Sequence, residues 1–283
     1  MIKEIPFTKM HGIGNDYIYI NCMDRVPDKL PRLAIEMSDR HTGVGGDGII
    51  LICPSECADF KMRIFNADGS EARMCGNGSR CVGRYVYESH LTDKTTVTLE
   101  TLSGVKTLRL HPDADDRITS VTVDMGIPEI DTAEVPVTFD SPQMVNENVA
   151  TTLGPVKITA VSMGNPHGVT IVDDVDTAPV DTLGPELERH PMWPDRANIE
   201  FAEVVSPVEL RMRVWERGSG ETMACGTGAC ATLVACVLNG LSKRHAVVHL
   251  LGGDLEIEWD PADSHVYMTG PAETVFHGTY RRR

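Results

Sequence analysis

Apolar and polar residues alternate along much of this chain, and the alternation predicts strands more often than helices. Ile5-Pro6-Phe7-Thr8-Lys9-Met10 reads as a short strand leading into a His11–Asn15 loop rich in glycine. The apolar spacing then predicts a helix over Pro31–Asp39, followed by a Gly-rich stretch, Thr42–Gly48, and a continuous apolar run, Ile49–Ile52, that reads as a buried strand. Alternating runs recur at Thr95–Thr101, Val105–Leu110 and Ile118–Asp124, and again at Ala246–Leu250, Asp254–Trp259 and Glu273–Thr279. The uncharged run Cys225–Leu241 is too short and too rich in small polar residues to span a bilayer, and it predicts a buried helix. Strands joined by hairpin-like turns imply mainly antiparallel sheets with few crossovers.

The pattern repeats. Lys61–Gly78 (KMRIFNADGSEARMCGNG) aligns without a gap on Arg211–Gly228 (RMRVWERGSGETMACGTG) at an offset of 150 residues. Met62 falls on Met212, Arg63 on Arg213, Glu71 on Glu221, Cys75 on Cys225, Gly76 on Gly226 and Gly78 on Gly228. Each copy is an alternating run, a polar turn, and a Cys-Gly-x-Gly step into a helix. Gly126-Ile127-Pro128 marks a join between two halves, and Gly270-Pro271 marks a return of the last strand to the first half. The expected fold class is α+β: two pseudo-symmetric domains, each a curved, mainly antiparallel, barrel-like sheet around a central helix, facing each other across a cleft. The expected boundaries are 1–126 plus 271–283 for the first domain and 127–270 for the second.

Composition adds limits. At 283 residues the chain has room for two domains, and 41% hydrophobic with 24% charged residues is ordinary for a globular protein. A net charge of −15 argues against nucleic acid or an anionic membrane as partner, because both require a basic face. The one basic cluster, Arg281-Arg282-Arg283, reads as a solvated tail. The first ten residues lack the apolar core of a secretory signal, so the eight cysteines are expected as thiols in the cytoplasm. Cys53 and Cys57 lack the second pair that zinc needs, and Cys22, Cys81, Cys230 and Cys236 read as small core residues.

The doubled Cys-Gly-x-Gly carries the chemistry. The first turn of a helix leaves N–H groups unpaired and bears a partial positive charge, so it can hold a carboxylate and favour a thiolate. Two thiols on one carbon suit cofactor-independent inversion of a centre beside a carboxylate. One removes the α-proton as thiolate and the other delivers a proton as thiol; the roles exchange in the reverse direction.

The chain resembles the diaminopimelate epimerase family over nearly its whole length. The resemblance rests on FTKMHGIGNDYI (Phe7–Ile18), FNADGSEARMCGNGSRC (Phe65–Cys81), MGNPH (Met163–His167), ANIEF (Ala197–Phe201) and WERGSGETMACGTGACA (Trp215–Ala231). It implies interconversion of LL- and meso-diaminopimelate in lysine and peptidoglycan-precursor synthesis, with no cofactor, no metal, and a homodimeric enzyme. It further implies Cys75 and Cys225 as the acid/base pair and His167 and Glu216 as groups tuning their ionisation. The backbone of Gly76-Asn77 and of Gly226-Thr227 would take the reacting carboxylate, and Glu216 the reacting ammonium. Asn15, Asn66, Asn165, Asn198 and Arg217 would bind substrate, most of them at its distal end.

Read singly, several of these residues have plainer explanations. Asn15 and Asn165 suit turns, His167 suits a surface loop, and Glu216-Arg217 suits an exposed pair at a strand end. Asn66, however, occupies the repeat position of Glu216. Many family members carry glutamine where Gly48 ends the segment GVGGDG, so a distal side-chain contact is expected to be missing here. A proline or hydroxyproline racemase of the same fold is the nearest alternative, although a cyclic substrate has no use for distal-end residues. A thiol-based redox or metal-binding protein is the alternative from another class.

Overall fold

The computed structural model describes residues 4–282. The chain divides into two compact units, one built from the chain up to Val123 with the stretch from Thr269 onward, the other from Asp124–Met268.

The first unit opens with β1 (Glu4–Gly12) and β2 (Asn15–Asn21), a hairpin whose two-residue turn, Ile13-Gly14, has φ of 48° and 88°. Two successive positive φ values match the right-handed twist of the flanking strands, which explains the glycine. The sequence reads this stretch as an open loop; the strands in fact run up to both sides of the turn. There follow α1 (Leu30–Ser38), β3 (Gly48–Cys53), β4 (Phe60–Asn66), β5 (Glu71–Ala72), α2 (Gly76–Glu88), β6 (Thr96–Thr101), β7 (Gly104–Pro112) and β8 (Ile118–Gly126), the last leading out of the unit. β2 and β3 are parallel, as are β4 and β6; β1–β2, β3–β4, β6–β7 and β7–β8 are antiparallel.

The second unit contains β9 (Glu147–Val149), β10 (Val156–Ser162), β11 (Pro166–Ile171), α3 (Val180–Glu188), β12 (Asn198–Ser206), β13 (Glu209–Glu216), β14 (Gly220–Glu221), α4 (Gly226–Leu238), β15 (His245–Leu250), β16 (Gly253–Trp259) and β17 (Val266–Gly270). Its parallel pairs, β11–β12 and β13–β15, stand where those of the first unit stand. Ile49 opposes Phe65 as Ile199 opposes Trp215, and Tyr17 opposes Gly48 as His167 opposes Asn198. The 150-residue offset therefore reaches well beyond the motif visible in the sequence, pairing Asn15 with Asn165 and Gly48 with Asn198.

α2 and α4 are the buried helices on which each unit is built. Residues Gly76–Val82 and Cys230–Cys236 are almost wholly enclosed by the sheets. Both helices end alike: Leu91 N–H bonds Val86 C=O, and Leu241 N–H bonds Cys236 C=O, both at 2.9 Å. The residue before each leucine is left-handed, His90 at φ 55° and Gly240 at φ 69°. Cys22, Cys81, Cys230 and Cys236 are core residues.

β18 (Glu273–Arg281) returns to pair with β1. Of the terminal arginines, Arg281 is exposed beside Glu4, but Arg282 donates to the Asp28 carbonyl at 2.8 Å with its side chain largely covered. The solvated-tail reading fails for Arg282 because the strand carries it against the chain ahead of α1; Arg283 lies outside the described residues.

Candidate active site

The shared polar residues of the repeat divide into two groups. Arg63 and Glu71 form a two-point ion pair, 2.8 and 3.1 Å, and Arg213 and Glu221 repeat it at 2.6 and 3.0 Å. Each fork ties a strand, β4 or β13, to the short strand that follows its polar turn, β5 or β14. These residues shape the approach to the cysteine.

Cys75 and Cys225 are the N-cap residues of α2 and α4. Both backbones are extended, at φ −142° and −121°, and each sulfur accepts the N–H of the residue three positions on, Gly78 at 3.2 Å and Gly228 at 3.4 Å. Sulfur thus occupies the position a serine or aspartate oxygen usually takes. The N–H groups of Gly76 and Asn77, and of Gly226 and Thr227, precede the first intrahelical bond and point out of the helix end. The second glycine of each motif faces the sheet below. A Cβ on Gly78 would meet Ile50 Cδ1 at 2.6 Å, and one on Gly228 would meet Glu200 Oε1 at 2.7 Å. A side chain at either glycine would have to displace the end of the side chain beneath it.

In the first unit, Asn15 Oδ1 lies 3.4 Å from Cys75 Sγ, while its Nδ2 donates to Asp47 at 2.8 Å. Asp47 also receives the Asp16 N–H and Arg40, so it anchors the amide of Asn15. Asn66, at the end of β4, receives Tyr17 OH at 3.5 Å and donates to Ser70. The Asn77 side chain is buried and accepts from Arg80 at 2.9 Å. At Gly48 a Cβ would lie 2.2 Å from the Phe65 carbonyl oxygen, so this backbone admits no side chain.

The second unit gathers more. Asn165 Nδ2 is 3.4 Å from Thr227 Oγ1, which is 3.5 Å from Cys225 Sγ. His167 is not in a surface loop: it lies in β11 with no exposure, its Nδ1 2.7 Å from Glu200 and its Nε2 3.2 Å from Asn165 Oδ1. The sequence misplaces it because Pro166 looks like a turn residue, whereas here it begins a strand. Asn198 Oδ1 receives the Arg217 N–H at 2.8 Å, and the exposed Arg217 guanidinium donates to the Asp195 carbonyl. Glu216, closing β13, receives the Thr222 hydroxyl at 2.5 Å.

Cys225 is 5% exposed, and that burial, followed by the carboxylates of Glu216 and then Glu200, pushes its thiol well above the ordinary cysteine range. The Thr227 hydroxyl and Gly228 N–H act in the opposite direction.

Two buried acids escaped the sequence reading. Glu188, on α3, accepts from Trp215 Nε1 and Gly218 N–H, both at 3.1 Å, and so holds the turn that carries Arg217. Glu200 sits inside ANIEF, where strand alternation makes it look outward-facing; residues 198–202 are in fact covered on both faces.

Two units of one topology, each with a thiol capping a buried helix, have the fold of a class that includes epimerases. A hydroxyproline epimerase from Agrobacterium vitis shares it with a TM-score of 0.70, covering 99% of this chain and 91% of that one at 18% identity. A phenazine biosynthesis protein of the PhzF family from Bacillus anthracis does so at 0.72, covering 99% of each at 16% identity. At such identities the likeness carries the fold alone. The chain belongs to the diaminopimelate epimerase family, whose sequence pattern matches residues 7–130 and 159–275. A diaminopimelate epimerase of Acetivibrio thermocellus is 54% identical over 272 residues, covering 96% of this chain and 97% of that protein. One of Phocaeicola vulgatus is 53% identical over 278 residues, covering 98% and 99%.

Proposed function

We propose that this protein epimerises LL-2,6-diaminopimelate to the meso isomer, without a cofactor, by a two-base thiol mechanism. One observation carries the chemistry: a cysteine sulfur stands at the N-cap of the buried helix in both units. Family membership and relatives at about half identity carry the choice of substrate.

In this reading one sulfur removes the α-proton as thiolate and the other returns a proton to the opposite side of the carbon, Cys75 being the donor and Cys225 the acceptor for one direction. The reverse reaction exchanges the roles. The N–H groups of Gly76-Asn77 and Gly226-Thr227 hold the α-carboxylate, where the helix dipoles stabilise the charge that develops as the proton leaves. Glu216 takes the reacting ammonium, and with His167 it tunes the thiols. Asn15, Asn66, Asn165, Asn198 and Arg217 bind substrate, most of them at its distal amino-acid end. Arg217 suits a two-point carboxylate contact, and the asparagines serve either charge. Gly48 offers no side chain, so a backbone group or water takes the place of the distal side-chain contact.

No helix among the described residues is long and apolar enough to cross a membrane. We place the enzyme in the cytoplasm as a homodimer, following the family resemblance; sedimentation at micromolar concentration tests the dimer.

The direct test is incubation of the protein with LL-diaminopimelate or L-proline in deuterated water. Meso product carrying solvent deuterium, with proline untouched, supports the reading. Exchange on proline alone favours the racemase alternative.

A further inference from the structure

Ile50 and Glu200 are counterparts under the 150-residue offset. Ile50 Cδ1 lies beneath Gly78 in the first turn of α2, and Glu200 Oε1 lies beneath Gly228 in the first turn of α4. One helix start rests on an isoleucine, the other on a carboxyl group with no exposure to solvent. Burying a carboxyl group is costly unless it is fully bonded. Glu200 Oε1 is bonded to His167 Nδ1 at 2.7 Å, yet Oε2 is buried without a hydrogen-bond partner. The first unit shows that an isoleucine fills this place, so packing alone does not account for the acid.

The buried charges differ in sign as well. α2 carries Arg80, fully buried and bonded to Asn77 two residues after Cys75; its counterpart on α4 is Cys230. A positive group therefore accompanies the helix start at Cys75, and a negative one underlies the helix start at Cys225. A carboxylate beneath the first turn opposes the partial positive charge that would otherwise favour a thiolate there.

We propose that Glu200 is a positioning residue for the reaction: from beneath the first turn of α4 it holds Cys225 as the resting thiol and leaves the resting thiolate to Cys75. The inference rests on the assignment of these two cysteines as the acid/base pair. His167 fixes the carboxylate, with Asn165 bracing the far ring nitrogen at 3.2 Å. The titratable groups that face the Cys225 sulfur are Glu216 from β13 and Glu200 from β12, with His167 of β11 against Glu200. Arg211 and Arg213 of β13 are held by Asp176, Glu203 and Glu221. On β15 and β16, His245 pairs with Glu256 and His249 with Asp254.

The experiment is site-resolved alkylation. The intact protein is pulsed with iodoacetamide across pH 6–11, and the modification of Cys75 and Cys225 peptides is followed separately by mass spectrometry. The midpoint of each rate profile reports ionisation, whereas accessibility alters only its height. In the unmutated protein the Cys225 midpoint lies above that of Cys75. Glu200→Gln lowers the Cys225 midpoint by about one pH unit and leaves the Cys75 midpoint in place. Equal or reversed midpoints in the unmutated protein overturn the proposal even if the variant fails to fold. An unmoved Cys225 midpoint in a folded Glu200→Gln overturns it too and reduces Glu200 to a structural role. Epimerase activity of the unmutated protein is measured in parallel, so failure of the functional assignment is seen separately.

Discussion

At the residue scale the informative facts are which atoms surround each sulfur. Cys75 has the amide of Asn15 beside it; Cys225 has the Thr227 hydroxyl beside it and the carboxylates of Glu216 and Glu200 acting on it electrostatically. Replacing either cysteine by alanine leaves the helix start with one N–H unbonded, a loss of about 1 kcal/mol, so both variants should fold. Each should lose at least 1,000-fold in epimerisation, because a one-thiol site has no group to complete the inversion. Circular dichroism and a coupled product assay check the two halves of this expectation. Gly228→Ala is expected to be worse for the fold. Its methyl group would stand 2.7 Å from Glu200 Oε1 and 3.2 Å from Cys225 Sγ. Overpacking of that kind costs about 1–3 kcal/mol, read as a lower midpoint in urea, and the displaced sulfur should lower kcat as well.

At the element scale, each catalytic candidate is held by the end of a helix or strand. Both ends of α2 and α4 are closed by backbone and side-chain bonds, and the two helices differ at one left-handed position, His90 against Gly240. A non-glycine residue there costs about 1–2 kcal/mol, while glycine costs about 0.5–1 kcal/mol in chain entropy. The conformational term is the larger, so His90→Gly should stabilise the protein by up to about 1 kcal/mol, a rise in Tm of about 1–4 °C by calorimetry. Glu188 acts in the opposite sense. Its removal strands the Trp215 indole N–H and the Gly218 N–H, at about 1–3 kcal/mol, and frees the turn behind Arg217. Glu188→Ala should therefore raise KM for diaminopimelate more than it lowers kcat, as steady-state kinetics would show.

At the scale of the whole chain, the sequence displays the elements on either side of each cysteine and hides much of the rest. Alternation exposes β6, β7, β15, β16 and the strands before the cysteines, because each has one covered and one wet face. Between residues 128 and 210 it fails. There β10, β11 and β12 are covered on both faces over most of their length, and α3 contains Pro185 in its interior. Proline at 166 disguises the strand carrying His167, and Glu200 looks like an outward-facing residue. The repeat is visible where Cys, Gly and Arg are shared, and invisible where one copy has isoleucine and the other glutamate. Those unlike pairs are Ile50 and Glu200, Gly48 and Asn198, and Tyr17 and His167.

The central claim is that two thiols, and nothing else, move the α-proton of diaminopimelate. The measurement that meets it most directly is deuterium incorporation from heavy water into LL-diaminopimelate by the unmutated protein, Cys75→Ala and Cys225→Ala. The unmutated protein should give meso product with one solvent deuterium at the inverted carbon, and each folded variant should give no meso product. Meso product formed at an undiminished rate by either variant would contradict the claim.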